Sequence, residues 1–182
     1  METLLQQIIN GLVLGSMYAL VALGYTMVYG IIGLINFAHG DVLMVGALTS
    51  WTIIVTMREA MPGAPGWLIL LLALVIAMVV CAALNFTIEK LAYRPLRNSP
   101  RLAPLITAMG MSILLQTLAM IIWKPNPKSY PSMLPTDPIN VGGAVISVTQ
   151  IFILGTTAVV LAGLMYMVNK TNLGRAMRAT AE

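Results

Sequence analysis

The segment Ile35-Asn-Phe-Ala-His-Gly-Asp41 holds the side chains of the N-terminal region that could do chemistry. His39 is the only histidine of the chain, and Asp41 is the only formally charged residue between Thr3 and Met57. A carboxylate at the centre of a membrane helix costs about 2.5–3.5 kcal/mol on insertion scales. Such a group is retained where it faces water, a partner or a solute path, so this segment is the first candidate for a functional site.

Asn36, His39 and Asp41 are compatible with three kinds of polar site: part of a solute path, a proton relay or a metal site. A metal site is disfavoured because one His and one Asp are too few ligands. A relay needs a chain of titratable groups, which the apolar spans do not provide.

A structural interpretation stays open beside these functional ones. Asn36 and Asp41 would cap the helices that meet here, with Asp41 as the N-cap of the second helix and His39 and Gly40 in the turn. Capping and lining a path are compatible, because a broken helix at membrane depth is tolerated only beside protein or a cavity.

Catalysis by this chain is disfavoured. The sequence has no Gly-x-x-x-x-Gly-Lys phosphate loop, so it should not hydrolyse nucleotide. The single histidine has no plausible nucleophile in its own segment, and His39 and Asp41 are two residues apart, which does not bring them side by side on a helix. We therefore predict no enzymatic activity, no cofactor and no metal. The net charge of +4 is weak evidence for a nucleic-acid partner, and none is expected.

The elements that must hold the Asn36–Asp41 segment are apolar. The 182 residues are 59% hydrophobic and 9% charged, whereas soluble domains are about a quarter charged. The apolar residues form runs that can cross a hydrocarbon core of about 30 Å. We predict an all-α polytopic membrane protein, one transmembrane domain over residues 1–182, with a broken segment near residues 33–41. The five predicted spans are about Ile8–Ile31, Val42–Met57 (a short one), Trp67–Ile88, Leu102–Trp123 and Val148–Val168.

The basic residues predict which loops are cytoplasmic. Four of them lie in the short connection before the fourth span, and three follow the fifth span: Lys90, Arg94, Arg97 and Arg101, then Lys170, Arg175 and Arg178. Basic residues in short loops stay inside, so both segments are expected in the cytoplasm and residues 124–147 outside. The direction of the first span depends on whether residues 33–41 mark a crossing boundary or turn back within the membrane.

Two further patterns concern packing. Gly11, Gly15 and Ala19 recur on one helix face, where small side chains let a second helix approach closely; the partner is either internal or another subunit. The outer segment after the fourth span contains five prolines and is expected to form an irregular lid rather than a helix: Pro125, Pro127, Pro131, Pro135 and Pro138.

The C-terminal tail from Asn172 to Glu182 predicts a short cytoplasmic helix with Arg175, Arg178 and Glu182 on one face. It would either dock in a cleft of a soluble partner or act as a basic juxtamembrane segment that sets topology and touches anionic lipid. Spacing alone favours the second interpretation.

Several motifs together resemble the permease subunits of branched-chain amino-acid ABC transporters, and among them the H-type subunit of the high-affinity leucine, isoleucine and valine systems. They run from the N-terminal glycine-rich span to the tail: Gly11-Leu-Val-Leu-Gly-Ser-Met-Tyr-Ala-Leu, Gly24 to Asp41, Glu89-Lys-Leu-Ala-Tyr-Arg-Pro-Leu-Arg, Gly110-Met-Ser-Ile-Leu-Leu-Gln, and Leu173-Gly-Arg-Ala-Met-Arg-Ala-Thr-Ala-Glu. The resemblance covers essentially the whole chain.

The resemblance implies an importer in the bacterial inner membrane. Its expected partners are a second permease subunit, two cytoplasmic ATP-binding subunits, a periplasmic substrate-binding protein and the lipid bilayer. In such permeases the tail segment begins the loop that touches the ATPase, so the expected contact residues are Gly174, Arg175, Arg178, Ala179 and Glu182. The resemblance thus favours the docking interpretation of the tail.

Family members run to roughly three hundred residues, so this chain is expected to be an N-terminal portion. Permeases for urea or short amides share the family. A proton-coupled carrier using His39 and Asp41, or a non-transporting fragment, remains an alternative function.

Overall fold

The computed structural model describes residues 2–33, 36–96, 98–100, 102–134, 137–141 and 143–181. Its helices are α1 (Glu2–Ile32), α2 (His39–Ala60), α3 (Gly66–Ile88), α4 (Leu102–Trp123), α5 (Val148–Lys170) and α6 (Asn172–Ala181), with two strands, β1 (Pro138–Val141) and β2 (Ala144–Ser147). Within the described residues, five helices are long and apolar enough to cross a membrane. The predicted all-α polytopic class and the number of spans are confirmed.

The second span is longer than predicted. Helix α2 begins at His39 and contains 22 residues, which is about 33 Å at 1.5 Å per residue. The predicted bounds, Val42–Met57, were therefore three residues short at each end of the helix. Hydropathy alone placed its start at Val42 because His39, Gly40 and Asp41 are polar or small, yet all three lie within the helix.

Contacts between residues divide the chain into two compact units. One comprises residues 1–33 and 134–182, and the other comprises residues 34–133. Each is described below by itself. The expectation that residues 1–182 form one domain stays a prediction.

In the unit of residues 34–133, α2 and α3 pack along each other at two apolar clusters. Ala38, Val42, Ile88 and Leu115 form the first, near the start of α2. Ile54, Ile69 and Ala73 form the second, toward its end. Between the two clusters, a Cβ built on Gly46 would lie 2.7 Å from the Cys81 sulfur, so the absent side chain is what lets these helices approach.

Beyond Ile88 the chain continues as a π-helical turn, Glu89–Tyr93, and a 3₁₀ turn, Arg94–Leu96. Pro95 explains the change, because it has no N–H to donate and its ring clashes with the carbonyl four residues earlier. The widened turn brings Tyr93 next to the first apolar cluster.

In the unit of residues 1–33 and 134–182, α1 packs against α5, and α6 contacts both. The strands β1 and β2 form an antiparallel hairpin with Pro138 opposite Ser147. Ser147 and Gln150 then form a capping box at the start of α5, at 3.0 and 3.2 Å. The expectation of an irregular outer segment was wrong over the two strands, Pro138–Val141 and Ala144–Ser147. Pro138 is compatible with a strand because it stands at the strand's first position.

The side chain of Gln6 joins α1 to this hairpin. Its amide nitrogen donates to the Val145 carbonyl at 3.0 Å, and its amide oxygen accepts from the Val145 N–H at 2.8 Å. The glutamine therefore bonds the edge of β2 as a neighbouring strand would, which satisfies backbone groups that the two-stranded hairpin leaves open.

We predict that Gly66→Ala destabilises the unit of residues 34–133 by about 1–3 kcal/mol, as overpacking typically does. A Cβ at Gly66 would lie 2.6 Å from the Met133 carbonyl oxygen, a backbone atom that cannot rotate away. Gly63→Ala is the matched control, since nothing lies within 4 Å of its Cβ position. Thermal unfolding in detergent should show a lower Tm for Gly66→Ala alone; equal Tm values for the two variants would contradict the predicted clash.

Candidate functional site

The candidate site is the polar cluster where the chain enters α2. Asn36 lies in the break before the helix, whereas His39 and Asp41 lie in its first turn. Asp41 is 8% exposed, and His39 is half-buried. The three residues predicted from the sequence therefore lie together, at the junction of α2 with its preceding loop. Leu34 and Ile35 lie outside the described residues.

Asn36 organises the break. Its side-chain oxygen accepts from the Ala38 N–H at 3.1 Å, and its carbonyl accepts from the His39 N–H at 3.1 Å. The same side-chain oxygen accepts from the Tyr93 hydroxyl at 2.8 Å. One asparagine thus closes the local turn and ties it to the π-helical turn after α3. These bonds are expected of a short polar side chain in a turn.

Asp41 is held by a long-range contact. The Gln116 amide donates to an Asp41 carboxylate oxygen at 3.0 Å and lies 3.3 Å from the Ser112 hydroxyl. The bond joins the first turn of α2 to the middle of α4. A hydrogen bond to a charged group is worth about 1.5–3 kcal/mol, and it is worth most where water does not compete.

The expectation that Asp41 is the N-cap of α2 was wrong. Ala38 occupies that position and makes no side-chain capping bond. Helix α2 starts two residues before Asp41, so the carboxylate lies within the first helical turn and bonds Gln116 of α4 instead. His39 and Gly40 are helical, and the turn is formed by Asn36 to Ala38. An acidic residue in the first turn still interacts favourably with the positive end of the helix dipole.

Gln116 and Tyr93 are the two members of the cluster that sequence reasoning missed. Both lie in motifs that carried the family resemblance, but neither had been given a role. A usable signal existed for Gln116, because it is the one carboxamide in the apolar helix α4. A lone carboxylate and a lone carboxamide in two spans are expected to find each other, since an unpaired polar group in a membrane is costly.

The tail forms the predicted helix, α6, and its start is tied closely to α5. Thr171 is the residue between the two helices; its hydroxyl donates to the Met167 carbonyl and accepts from the Gly174 N–H at 3.2 Å. A Cβ at Gly174 would lie 2.2 Å from the Val168 carbonyl oxygen, so only glycine fits against the end of α5.

Of the tail residues predicted to contact a partner, Gly174 is buried, and Arg175 and Ala179 are exposed. The Arg175 guanidinium donates to the Asn172 side-chain oxygen. The Arg178 side chain and Glu182 lie outside the described part of the chain. The predicted contact with an ATPase stays a prediction.

The small-residue face of α1 is exposed: nothing lies within 4 Å of the Cβ positions of Gly11 and Gly15, and Ala19 is also exposed. Close packing at Gly11, Gly15 and Ala19 also stays a prediction.

Five apolar spans and a polar cluster satisfied inside the protein define a multi-pass membrane protein. The chain belongs to the family described as the permease component of branched-chain amino acid transport systems, which residues 7–182 match.

Its relatives include three proteins named high-affinity branched-chain amino acid transport system permease proteins. BraD of Pseudomonas aeruginosa is 46% identical over 98% of this chain, LivH of Escherichia coli K12 is 43% identical and LivH of Salmonella typhimurium is 42% identical. The chain spans 59% of the length of each of these relatives. No solved structure matches it significantly.

We predict that Gln116→Leu destabilises the protein by about 1–3 kcal/mol, because it leaves the buried Asp41 carboxylate without its amide donor. Adding Asp41→Leu should recover much of this loss, since replacing both partners by apolar groups can be nearly neutral. Thr117→Val is the control, because its hydroxyl bonds only within α4, to the Ile113 carbonyl at 2.8 Å. Thermal unfolding of the wild type, of Gln116→Leu and Asp41→Leu singly, and of the double variant gives the coupling energy between the two side chains. Additive losses of stability would contradict the pairing.

Proposed function

We propose that this chain is a transmembrane subunit of an ABC importer for branched-chain, aliphatic amino acids in the bacterial inner membrane. The observation that carries the proposal is its 46% identity, over nearly its whole length, to a relative named for that transport. Because the chain spans 59% of the relatives' length, the solute, the activity and the partners are all proposed for it here.

An apolar solute needs a path with few fixed charges. Each of the five spans contains an apolar window of 18 residues with at most two charged residues. The buried carboxylate of Asp41 is engaged by Gln116. This arrangement supports passage of an aliphatic side chain without a strong electrostatic trap. Recognition of the solute's ammonium and carboxylate groups falls to a separate periplasmic binding protein.

Energy would enter through α6. A single residue, Thr171, separates it from α5, and Gly174 packs directly on the α5 backbone. Because this link is short and tightly packed, a displacement of α6 would also displace α5. With the tail in the cytoplasm, a soluble ATPase could grip the exposed Arg175, and closure of two such ATPases on ATP would move α5 in each of two paired permeases.

The test is uptake of radiolabelled leucine by membranes that contain the chain with its partner subunits. We expect an ATPase to co-purify, and we expect uptake to fall to background when that ATPase's nucleotide site is disabled. A protonophore should leave ATP-driven uptake in vesicles unchanged. Uptake that follows the proton gradient would instead support a carrier using His39 and Asp41, and preference for urea or short amides would reassign the solute.

We further predict that the double charge reversal Arg175→Glu with Arg178→Glu lowers transport about tenfold or more. A lost interfacial charge contact of about 1.4 kcal/mol suffices for that factor. ATP hydrolysis should persist without uptake, and membrane insertion should be normal. Lys170→Glu, at the end of α5, is the control. If the tail only touches lipid, this charge reversal should lower transport as much as the double reversal does. Unchanged transport in the double variant would remove the coupling role.

A further inference from the structure

Helices α2 and α4 run in the same direction but begin at different depths. Two contacts fix their alignment: Asp41 with Gln116, and Thr52 with the Trp123 indole N–H at 2.8 Å. Only His39 and Gly40 precede Asp41 in α2, whereas fourteen residues of α4 precede Gln116. Thirteen residues of α2 precede Thr52 and twenty-one of α4 precede Trp123. The two contacts together put the start of α4 about 12–18 Å before that of α2 along their common direction.

The Trp123 end of this unit has the features of a membrane–water interface. The Trp51 indole N–H donates to the Ser129 carbonyl at 3.0 Å, and the Lys128 ammonium lies 4.6 Å from the centre of the Trp51 ring. Tyr130 and Ser50 share a hydrogen bond of 2.6 Å. Tryptophan and tyrosine collect at membrane interfaces. The segment after α4 is irregular and largely exposed, and such backbone is not tolerated in lipid.

We take the level of Trp51 and Trp123 as one membrane–water interface, and the depth of the break is measured from it. From Trp123 back to Leu102 is 22 residues, about one hydrocarbon thickness. From Trp51 back to His39 is only twelve residues, which is about 18 Å. The break before α2 then lies near the middle of a core of about 30 Å.

Helix α3 and the turns after it give an independent estimate of the depth of the break. Ile88 packs with Ala38 in one cluster, and the chain then continues through the π-helical and 3₁₀ turns, which have five and three residues. Those eight residues extend on the order of 12 Å beyond the level of the break before the connection to α4. Both estimates put the break well inside the membrane.

We propose that the Asn36–Ala38 break lies at mid-depth in the bilayer and lines the water-filled solute path, with Gln116 and Tyr93 as the positioning residues that hold it there. The placement rests on helix alignment alone; the path-lining role rests on the function proposed above. Irregular backbone at that depth persists only where protein or water satisfies it. Tyr93 bonds Asn36 and Gln116 bonds Asp41, so each side of the break is tied to a neighbouring helix.

Spin-label depth measurements test the placement. Cys81 is the only cysteine of the chain, so Cys81→Ala gives a background in which single cysteines can be labelled. The chain is reconstituted into liposomes with its partner subunits. A label at Phe37→Cys should lie about 15–20 Å deeper than one at Ser129→Cys. Leu43→Cys, exposed and about one turn into α2, gives a second reading if the loss of Phe37 prevents folding.

Reaction with a charged, membrane-impermeant thiol reagent tests the lining role. Phe37→Cys should react although it lies deep, and the rate should change when the ATPases are trapped with ATP and vanadate. In the Tyr93→Phe variant the rate should change at least severalfold, because the break loses one tie; Tyr166→Phe, at an exposed position, should leave it unchanged.

A Phe37 label no deeper than the Ser129 label would overturn the placement. A deep label that does not react with the charged reagent would overturn the lining role. Neither the depth of the label nor its reaction with the reagent in the absence of nucleotide needs transport activity. If the Phe37→Cys label is deep and reactive but ATP-driven uptake fails, the result therefore counts against the proposed importer and not against the position of the break.

Discussion

The bilayer core offers no water to hydrogen-bond a polar group, and the structure around α2 depends on that constraint. Asp41 is the one formal charge of a long apolar stretch, and its carboxylate is satisfied by the amide of Gln116 from another helix. Asn36 is satisfied by the Ala38 N–H and the Tyr93 hydroxyl. Among the described residues, no buried side-chain nitrogen or oxygen is left without a partner. Polar contacts thus fix which helices meet where the chain is broken.

The same constraint explains the rest of the helix packing in this unit. With lipid on the outside, apolar burial contributes little to association, so close approach and hydrogen bonds decide which surfaces pair. Gly46 against Cys81 is such an approach, and the Trp123 indole bonded to Thr52 is such a hydrogen bond. Threonine hydroxyls elsewhere in α2 bond carbonyls of their own helix, as Thr49 does with Val45, which keeps them compatible with lipid.

Hydropathy predicted the five spans, and it placed both ends of α4 correctly, because a long apolar run is a strong local signal. It failed at the start of α2, where the polar residues that looked like a cap belong to the helix. The pairing of Asp41 with Gln116 joins residues 75 positions apart, and that of Gln6 with Val145 joins residues 139 apart. No periodic pattern in the nearby sequence predicts partners so far apart along the chain. The hairpin of β1 and β2 was missed because the five prolines of the outer segment indicate irregular chain, although the last of them, Pro138, begins a strand.

In the proposed importer, energy coupling depends on the C-terminal tail. Helix α6 is joined to α5 through Thr171 and the close contact at Gly174, so in the proposed importer a soluble partner that reaches α6 would act on the membrane span. The most direct measurement is sided labelling of Ala176→Cys, an exposed position outside the expected ATPase contact, in the Cys81→Ala background with an impermeant thiol reagent. The account predicts reaction in inverted membrane vesicles and none in spheroplasts. Reaction in intact spheroplasts would put α6 on the outer side, where no cytoplasmic ATPase could drive it, and would contradict the account.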